Sequence, residues 1–465
     1  MTHPFVASSN VLHRTFSHKP EKVVGSSGIK LIFESGRHVY DASAGPAVSV
    51  LGHTRSDVTE ALVHQMNECA YIYSGARFTS TAVEDLASFI LRDRPGGLSK
   101  AIFVNSGSEA TDAAIKLATQ YWHEVGQPRR RFVIARKQSY HGNTIGALCV
   151  SGHDSRRSLY HDWLSSNVKF IDPCFSYRFK KSHETDEDYA KRLVLQFESL
   201  VLELGPENVS SFIAETVSGT TLGCATAVQG YFKGIREVCD RYGVLLILDE
   251  IMCGMGKTGT MHAWEQEDMR GPDIQTIGKA LGGGFIPLSG VLLHHKIFDA
   301  LSNGSKGLAH GHTFQAHPVA CAAALAVQKA IENEKLLENV VAMGAVLEGL
   351  LKEHITPLNV VGDVRGRGLF WSVEFMLDGH ERVPLPIESN FGARVVDRAL
   401  NLGLNILGNL GQTGSVYVDH VILSPAYVVT EEELRQIVSL LRTAIMETTE
   451  EAFKWLNRGV IDALV

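Results

Sequence analysis

The amino-acid sequence predicts an α/β protein whose larger domain is a doubly wound, mostly parallel β-sheet. Two observations predict it: short, nearly continuous apolar runs, and helical segments that alternate with them from about residue 56. Strands covered on both faces are almost continuously apolar, and their alternation with helices is typical of doubly wound sheets. The predicted strands are residues 101–104, 132–135, 168–171, 212–214, 244–248, 273–277 and 290–293.

The two chain ends are expected to form a smaller α+β domain. Residues 28–41 alternate around a Ser-Gly turn, which predicts a hairpin. Strand-like runs at 368–375 and 420–423 precede a capping box at residues 430–433 that begins a last helix. Each end alone is too thin for a core, so residues 1–55 and 330–465 are expected to pack together beside a large domain of residues 56–329. The polar segment 174–190 is expected to be a surface excursion.

Composition limits the classes of function. A net charge of −7 argues against nucleic acid as the main partner, and no apolar run approaches the ~18 residues of a membrane span. The seven cysteines lack C-x-x-C spacing and are expected to be reduced residues of an intracellular protein. The first residues lack a secretory apolar region and carry few basic residues. A cytoplasmic location is therefore expected.

Two of the candidate binding groups are turns that follow predicted strands, where ligands of such sheets bind. The first, residues 105–110, follows strand 101–104 and begins a helix with Ser106, Gly107 and Ser108. The N–H groups and dipole at a helix N-terminus favour a phosphate. The second contains Tyr140 and His141 beside a glycine, and offers an aromatic ring for stacking. Taken singly, a serine cap and a core tyrosine are the more common explanations of these two groups.

The other two candidates are an acid and a lysine. Asp249 follows the apolar run 244–248, and Lys279 precedes the glycines at 282–284. A buried carboxylate is costly unless it is paired, and a lysine forms imines when burial or nearby positive charge lowers its pKa. A Schiff-base lysine and an acid for a pyridinium nitrogen are what a pyridoxal-phosphate (PLP) enzyme needs. Glu215 is a further acid at a strand end. A helix cap or ion pair for Asp249, and a surface position for Lys279, remain alternatives.

As a set, these motifs resemble the class III, or ω-, aminotransferases of PLP fold type I. The resemblance extends from about Gly28 to Thr430. The motifs that carry it are Ser106-Gly107-Ser108-Glu109-Ala110, Tyr140-His141-Gly142, Leu248-Asp249-Glu250-Ile251, Gly278-Lys279 with Gly282-Gly283-Gly284, and His310-Gly311-His312-Thr313-Phe314.

The resemblance implies a role for each motif. Lys279 would form the Schiff base and then transfer protons as general base and acid, while Asp249 would bond the pyridine nitrogen. Tyr140 and Ile251 would pack on opposite faces of the ring. The remaining cofactor-binding residues that it implies are Ser106, Gly107, Ser108, His141, Glu215 and, from the neighbouring subunit of a homodimer, Thr313.

Four departures from the family pattern concern the pocket and its surroundings. Met252 stands where many members have a glutamine that bonds the cofactor O3′, and Thr216 where proline is common. Ser424-Pro425-Ala426 replaces a frequent Pro-Pro. The arginine that some members place near position 415 to bind the substrate carboxylate is absent. Arg77 and Arg178 are candidates for that role, with a surface position as the alternative for each.

The sequence thus predicts a PLP-dependent transaminase. It would move an amino group from an amine or ω-amino acid to a keto acid by a ping-pong mechanism, in a homodimer with its active site at the subunit interface. Decarboxylating transamination of the dialkylglycine type, an aminomutase and a non-catalytic binding protein are the alternatives. A nucleotide phosphate loop at residues 254–258 is disfavoured, because position 251 is isoleucine rather than glycine. A metal site is not expected, since the histidines lack Cys or carboxylate partners at ligand spacing.

Overall fold

The structure, a computed structural model, describes residues 9–17, 19–75, 77–379, 381–408 and 413–462. The strands are β1 (Val23–Ser27), β2 (Lys30–Phe33), β3 (His38–Asp41), β4 (Leu98–Val104), β5 (Phe132–Arg136), β6 (Val168–Ile171), β7 (Val209–Glu215), β8 (Leu245–Asp249), β9 (Ile274–Ile277), β10 (Ser289–His294), β11 (Val361–Arg367), β12 (Phe370–Phe375), β13 (Leu404–Asn405), β14 (Leu407–Gly408) and β15 (His420–Leu423). The helices are α1 (Ser56–Cys69), α2 (Thr81–Ile90), α3 (Gly107–Glu124), α4 (Ile145–Val150), α5 (Asp154–Arg157), α6 (Ser176–Phe179), α7 (Asp186–Leu204), α8 (Tyr231–Tyr242), α9 (His295–Asn303), α10 (Pro318–Asn333), α11 (Leu336–His354), α12 (Phe391–Leu402) and α13 (Glu431–Asp462).

A seven-stranded sheet with the order β4-β10-β9-β8-β7-β5-β6 forms the centre of the fold. Strand β10 runs antiparallel to both of its neighbours, whereas the pairs β9–β8, β8–β7, β7–β5 and β5–β6 are parallel. Each of the seven predicted strands corresponds to one strand of this sheet. The predicted α/β fold with a mostly parallel sheet is therefore confirmed, and the carboxyl ends of six strands meet at one edge.

Helices cover both faces of this sheet because its strands are apolar on both sides. In β8, Leu246 and Leu248 belong to one buried cluster, with α7 and α8, while Leu245 and Ile247 belong to another, with α3. Alternate strand residues point to opposite faces, so one strand contributes to two cores. Burying one such side chain contributes about 1.5–3 kcal/mol. A single charge on either face of β8 would forfeit this contribution and add a desolvation cost.

Two smaller sheets are built from the chain ends. The first has the order β1-β2-β3-β13, and its β2–β3 pair is the predicted hairpin. Strand β13 pairs in parallel with β3, Leu404 opposite Tyr40, so residues far apart in the chain share one sheet. The second sheet has the order β11-β12-β15-β14. The domain bounds 1–55, 56–329 and 330–465 remain a prediction, because one buried cluster contains residues from all three segments.

The segment 174–190 is not a simple surface excursion, and that prediction is wrong in part. Phe175 and Tyr189 are buried, and the Tyr189 hydroxyl accepts a hydrogen bond from the Phe175 N–H at 2.9 Å. The Arg178 side chain is only 7% exposed and pairs with the fully buried Glu374. The polar composition was misleading because charges paired within the chain are compatible with burial.

The described residues contain no helix that is both long enough and apolar enough to span a membrane. All seven cysteines are free, and Cys69 is the exposed one. The predicted capping box before the last helix is present. The Glu433 N–H donates to the Thr430 hydroxyl at 3.3 Å, and a Glu433 carboxylate oxygen accepts from the Thr430 N–H at 2.9 Å.

Candidate active site

A cavity of about 410 Å³ lies at the carboxyl ends of the parallel strands. The residues that line it follow five different strands: β4, β5, β7, β8 and β9. This is the edge at which doubly wound sheets bind their ligands. The sequence-predicted site residues that line the cavity are Gly107, Ser108, Tyr140, His141, Glu215, Asp249, Ile251 and Lys279.

The first turn of α3 forms one wall of the cavity. Ser106 caps the helix, because its hydroxyl accepts from the Glu109 N–H at 3.3 Å while the Glu109 carboxylate accepts from the Ser106 N–H at 3.2 Å. Gly107 and Ser108 follow in the first turn, where helix N–H groups lack intrahelical acceptors. Ser106 itself does not line the cavity. It therefore acts on the site by starting the helix there.

Glycine is required at two positions of this wall. A Cβ added to Gly107 would lie 3.0 Å from the Ile251 side chain, and one added to Gly142 would lie 2.7 Å from the Ser108 hydroxyl oxygen. Gly142 also has φ +138°, a conformation that other residues rarely adopt. The Ser108 hydroxyl accepts from the Asn143 N–H at 2.9 Å, which joins the turn after β5 to α3.

Asp249, at the end of β8, is held by three hydrogen bonds. Its Oδ2 accepts from the His141 Nδ1 at 2.7 Å, and its Oδ1 accepts from the Ile251 N–H at 3.0 Å and the Thr276 hydroxyl at 3.2 Å. Both Asp249 and His141 are buried. The carboxylate is thus fixed in orientation and paired, as a buried charge must be. Thr276 was not identified from the sequence, because a threonine in a strand carries no signal of its own.

Glu215, at the end of β7, is a buried acid that is only half satisfied. Its Oε1 accepts from the Gly219 N–H at 3.0 Å, whereas Oε2 has no hydrogen-bond partner among the described residues. Burial raises the pKa of this carboxyl above its ordinary value. A buried polar atom without a partner costs about 1–3 kcal/mol, so the arrangement is suited to a ligand that donates a hydrogen bond to Oε2.

Lys279 begins a short 3-10 turn directly after β9. Its φ is +44°, a left-handed conformation that costs a residue other than glycine about 1–3 kcal/mol and is common at functional sites. In the described part of the chain its Nζ has no hydrogen-bond partner. Burial lowers the pKa of this amine from 10.5 to about 8, although Asp249 and Glu215 oppose the change. A substantial fraction of the amine is therefore neutral, and nucleophilic, near neutral pH.

The glycines after Lys279 do not line the cavity, so close passage of the backbone to a ligand does not explain them. Gly283 and Gly284 have φ of +59° and +83°, and an added Cβ would lie 3.2 Å from Val327 and 3.1 Å from Ser49 respectively. The turn conformation and this packing account for glycine at both positions.

The residues of the cavity fit PLP. A helix N-terminus suits its phosphate, the Asp249 carboxylate suits its pyridine nitrogen, and the unpaired Oε2 of Glu215 suits its ring hydroxyl. Lys279 supplies the amine that its aldehyde requires. Thr313 is exposed and does not line this cavity; its carbonyl accepts from the Tyr71 hydroxyl at 2.8 Å. Its predicted role therefore requires a second subunit.

Three of the family departures have structural consequences. Met252 lines the cavity, so a thioether replaces a hydrogen-bonding amide there. The Thr216 hydroxyl donates to the buried Glu250 carboxylate at 2.7 Å, a bond that proline cannot make. The Lys257 amine donates to the carbonyls of Ser424 and Pro425 at 3.3 and 3.0 Å. Lys257 is therefore occupied within the fold, which argues against a phosphate loop at residues 254–258.

The arginines of the cavity are not those considered from the sequence. Arg178 is bound to Glu374, and Arg77 is exposed and does not line the cavity. Arg14 and Arg156 line it instead. No sequence pattern marks either residue. Within the described ranges, no group of three or more His, Cys, Asp or Glu side chains could hold a metal ion.

Comparison with known proteins agrees with this chemistry. A family model for class-III aminotransferases matches residues 15–445. An uncharacterized aminotransferase of Schizosaccharomyces pombe is 42% identical over 432 residues, covering 93% of this chain and 94% of that protein. Gamma aminobutyrate transaminase 2 of Solanum lycopersicum is 32% identical, with 89% of each protein covered.

Solved structures give the same result. The omega transaminase from Pseudomonas jessenii in complex with PMP has a TM-score of 0.90 and 28% identity, covering 96% of this chain and 98% of that chain. The predicted family, PLP fold type I and PLP cofactor are thereby confirmed, and the decarboxylase and aminomutase alternatives are not favoured. The chain belongs to the class-III aminotransferases, PLP-dependent enzymes that transfer amino groups.

Proposed function

We propose that this enzyme takes the amino group from an amine or ω-amino acid, that a keto acid receives it, and that Lys279 and Asp249 are the central residues of its site. One observation carries the assignment of the site. A half-buried lysine, whose pKa is lowered and whose Nζ has no partner among the described residues, lines the same cavity as a buried, oriented carboxylate. The donor class is supported by relatives named gamma aminobutyrate transaminases and by structural neighbours named omega transaminases.

Each residue of the cavity has a distinct task in this proposal. PLP, bound as a Schiff base, supplies an electron sink for the bond-breaking step. Lys279 accepts and returns the substrate proton, because a pKa of about 8 allows both directions near neutral pH. Asp249 binds the pyridine nitrogen, and its orientation is fixed by His141 and Thr276. Glu215 accepts a hydrogen bond from the ring hydroxyl through its free oxygen.

The remaining predicted residues bind the phosphate of PLP or contact the faces of its ring. Gly107 and Ser108 bind the phosphate at the start of α3, which Ser106 caps. Tyr140 and Ile251, which both line the cavity, flank the ring. These roles are those implied by the family resemblance, and the cavity supports them because it brings these residues together, except Ser106.

The enzyme is proposed to act as a homodimer in which Thr313 completes the partner's phosphate site. Thr313 precedes Phe314, which is 56% exposed, and its carbonyl accepts from the hydroxyl of Tyr71, which is 39% exposed. Tyr71 contacts Phe314 edge to face at 5.8 Å. Exposed apolar patches of this kind are typical of protein interfaces. Light scattering of the purified holoenzyme tests this; a monomer with full activity would contradict it. The cytoplasmic location and the three domain segments likewise belong to this proposal.

The experiment that tests the function is a half-reaction. Holoenzyme is mixed with single amine or ω-amino acid donors, and loss of the Schiff-base absorbance is followed together with formation of the carbonyl product. Pyruvate or 2-oxoglutarate is then added as acceptor. Release of CO₂ in proportion to product would instead indicate the decarboxylating alternative.

Two variants locate the chemistry. Lys279→Ala is expected to abolish turnover, because no other amine lines the cavity among the described residues. Lys329→Ala changes an exposed lysine outside the cavity and serves as the matched control. Wild-type turnover by Lys279→Ala would refute the assignment of the catalytic residue.

A further inference from the structure

Two arginines at the cavity, Arg14 and Arg156, take no part in the cofactor contacts proposed above. Arg14 and Arg156 line it, yet in the part of the chain that the structure describes no carboxylate pairs with either guanidinium. The two acids of the cavity bind other groups. Asp249 accepts from the His141 ring, and Glu215 accepts from the Gly219 N–H through Oε1. A guanidinium has five N–H donors and no acceptor capacity. Free donors beside a binding cavity favour an anionic ligand.

Arg156 is the better positioned of the two. It lies in the four-residue helix α5 (Asp154–Arg157) and is half-buried, whereas Arg14 is exposed. Its guanidinium carbon lies 4.6 Å from the centroid of the Tyr140 ring, so a cation–π contact holds the group beside a residue of the cofactor site. Among the described residues, no aromatic ring makes a corresponding contact with Arg14. A stacked guanidinium loses little side-chain entropy when it forms a bidentate bond.

Arg157, the next residue in the sequence, has a structural role and is a useful comparison for Arg156. The Arg157 Nη1 donates to the carbonyls of Leu148, Cys149 and Ser151 at 2.8–3.0 Å, which fixes the end of α4. Arg156 makes no such bonds to carbonyl groups within the part of the chain that the structure describes. The adjacent His153, 6.3 Å from the Tyr140 ring, has its pKa lowered to about 4 by burial and by Arg156. Arg156 is thus the local positive charge at neutral pH.

We propose that Arg156 binds the carboxylate of the substrate and takes the place of the family arginine that this chain lacks near position 415. The inference rests on the proposed function, because a transaminase with a keto-acid acceptor must recognise a carboxylate. Two parallel N–H···O bonds from one guanidinium match that group in geometry and charge. Arg178 is excluded from the role by its bonds to Glu374 at 2.5 and 2.8 Å.

The decisive experiment measures binding without turnover. Isothermal titration of the holoenzyme with butyrate, and with its uncharged analogue butyramide, compares wild type with Arg156→Gln. Butyrate affinity is expected to fall by about 10- to 100-fold, as for a lost charge-assisted hydrogen bond, while butyramide affinity stays within about twofold. Arg156→Lys should recover part of the difference. Arg131→Gln, which removes another ring-stacked guanidinium 5.7 Å from Phe132 and outside the cavity, is the matched control.

The outcomes separate this inference from the proposed function. Equal butyrate affinity in wild type and Arg156→Gln overturns it, as does an equal loss for butyrate and butyramide. A loss confined to Arg14→Gln or Arg77→Gln assigns the carboxylate to another arginine and also overturns it. Failure of the amine half-reaction in wild type contradicts the proposed function, whereas the titration still reports on Arg156. A raised KM for keto acids but not for aldehydes in Arg156→Gln is the corresponding kinetic result.

Discussion

Replacing Lys279 by methionine is expected to stabilise the apoenzyme. The side chain keeps its length and apolar stem but loses a charge that burial disfavours. Burial lowers the lysine pKa from 10.5 to about 8, and at ~1.4 kcal/mol for each pKa unit this gap corresponds to about 3 kcal/mol. The native state binds this proton more weakly than the unfolded state, so the wild-type penalty is complete below pH 8. It fades as the pH rises from about 8 to 10.5.

The melting temperature provides the assay. An unfolding entropy of ~2.1 cal/mol/K per residue gives about 1 kcal/mol/K for 465 residues, so 3 kcal/mol corresponds to about 3 °C. Differential scanning fluorimetry of the apoproteins should show Lys279→Met melting about 3 °C above wild type at pH 7, with the difference close to zero at pH 10.5. Lys329→Met, an exposed site, should show no such pH dependence. A Lys279→Met protein that melts below wild type at pH 7, or a difference independent of pH, would refute the reasoning.

Three further substitutions test other parts of the site. Asp249→Asn removes the negative charge of the carboxylate that accepts from His141 at 2.7 Å. The kcat/KM for an amine donor should fall about 10- to 100-fold. Unchanged kinetics would contradict the proposed bond between Asp249 and the pyridine nitrogen. Thr216→Val removes one of two donors to Glu250 Oε1, since the Trp264 N–H at 2.8 Å remains. The loss should cost about 0.5–1.5 kcal/mol of stability, measured as a lower melting temperature; an unchanged melting temperature counts against the bond. Arg178→Met removes one of the two arginines that pair with buried Glu374, and Arg365 remains at 2.6 Å. The substitution should destabilise by about 1–3 kcal/mol without raising KM for keto acids; a raised KM would return Arg178 to substrate binding.

Much of the fold was predictable because the large sheet is buried on both faces. A strand such as β8 must then be apolar at nearly every position. Such a run can be recognised in the sequence without knowing which strands lie beside it. The sequence drew attention to Asp249 and Lys279, which both line the cavity, for a related reason. A charged residue at the end of such a strand conflicts with its surroundings, and function is the usual explanation of the conflict.

Other features could not be predicted because they depend on which side chains meet in space. Thr276 and Arg156 have ordinary local sequence, and only the cavity shows that one orients Asp249 and that the other carries an unpaired charge. Arg178 was misjudged for the opposite reason. Its polar segment suggests exposure, whereas a glutamate almost 200 residues away neutralises it in the interior.

A lowered pKa alone does not distinguish the lysine that we propose to be catalytic. Lys257 is fully buried, whereas Lys279 is partly exposed, and burial lowers the pKa of Lys257 to about 7, further than that of Lys279. Its amine, however, donates to two backbone carbonyls and lies 4.8 Å from the Tyr427 ring, so every feature around it serves packing. Lys279 combines a strained φ of +44° with an amine that bonds to nothing among the described residues. A strained backbone beside an amine without a hydrogen-bond partner, at a cavity, is typical of a ligand site. The amine at the cavity, rather than its pKa, therefore supports the role proposed for Lys279.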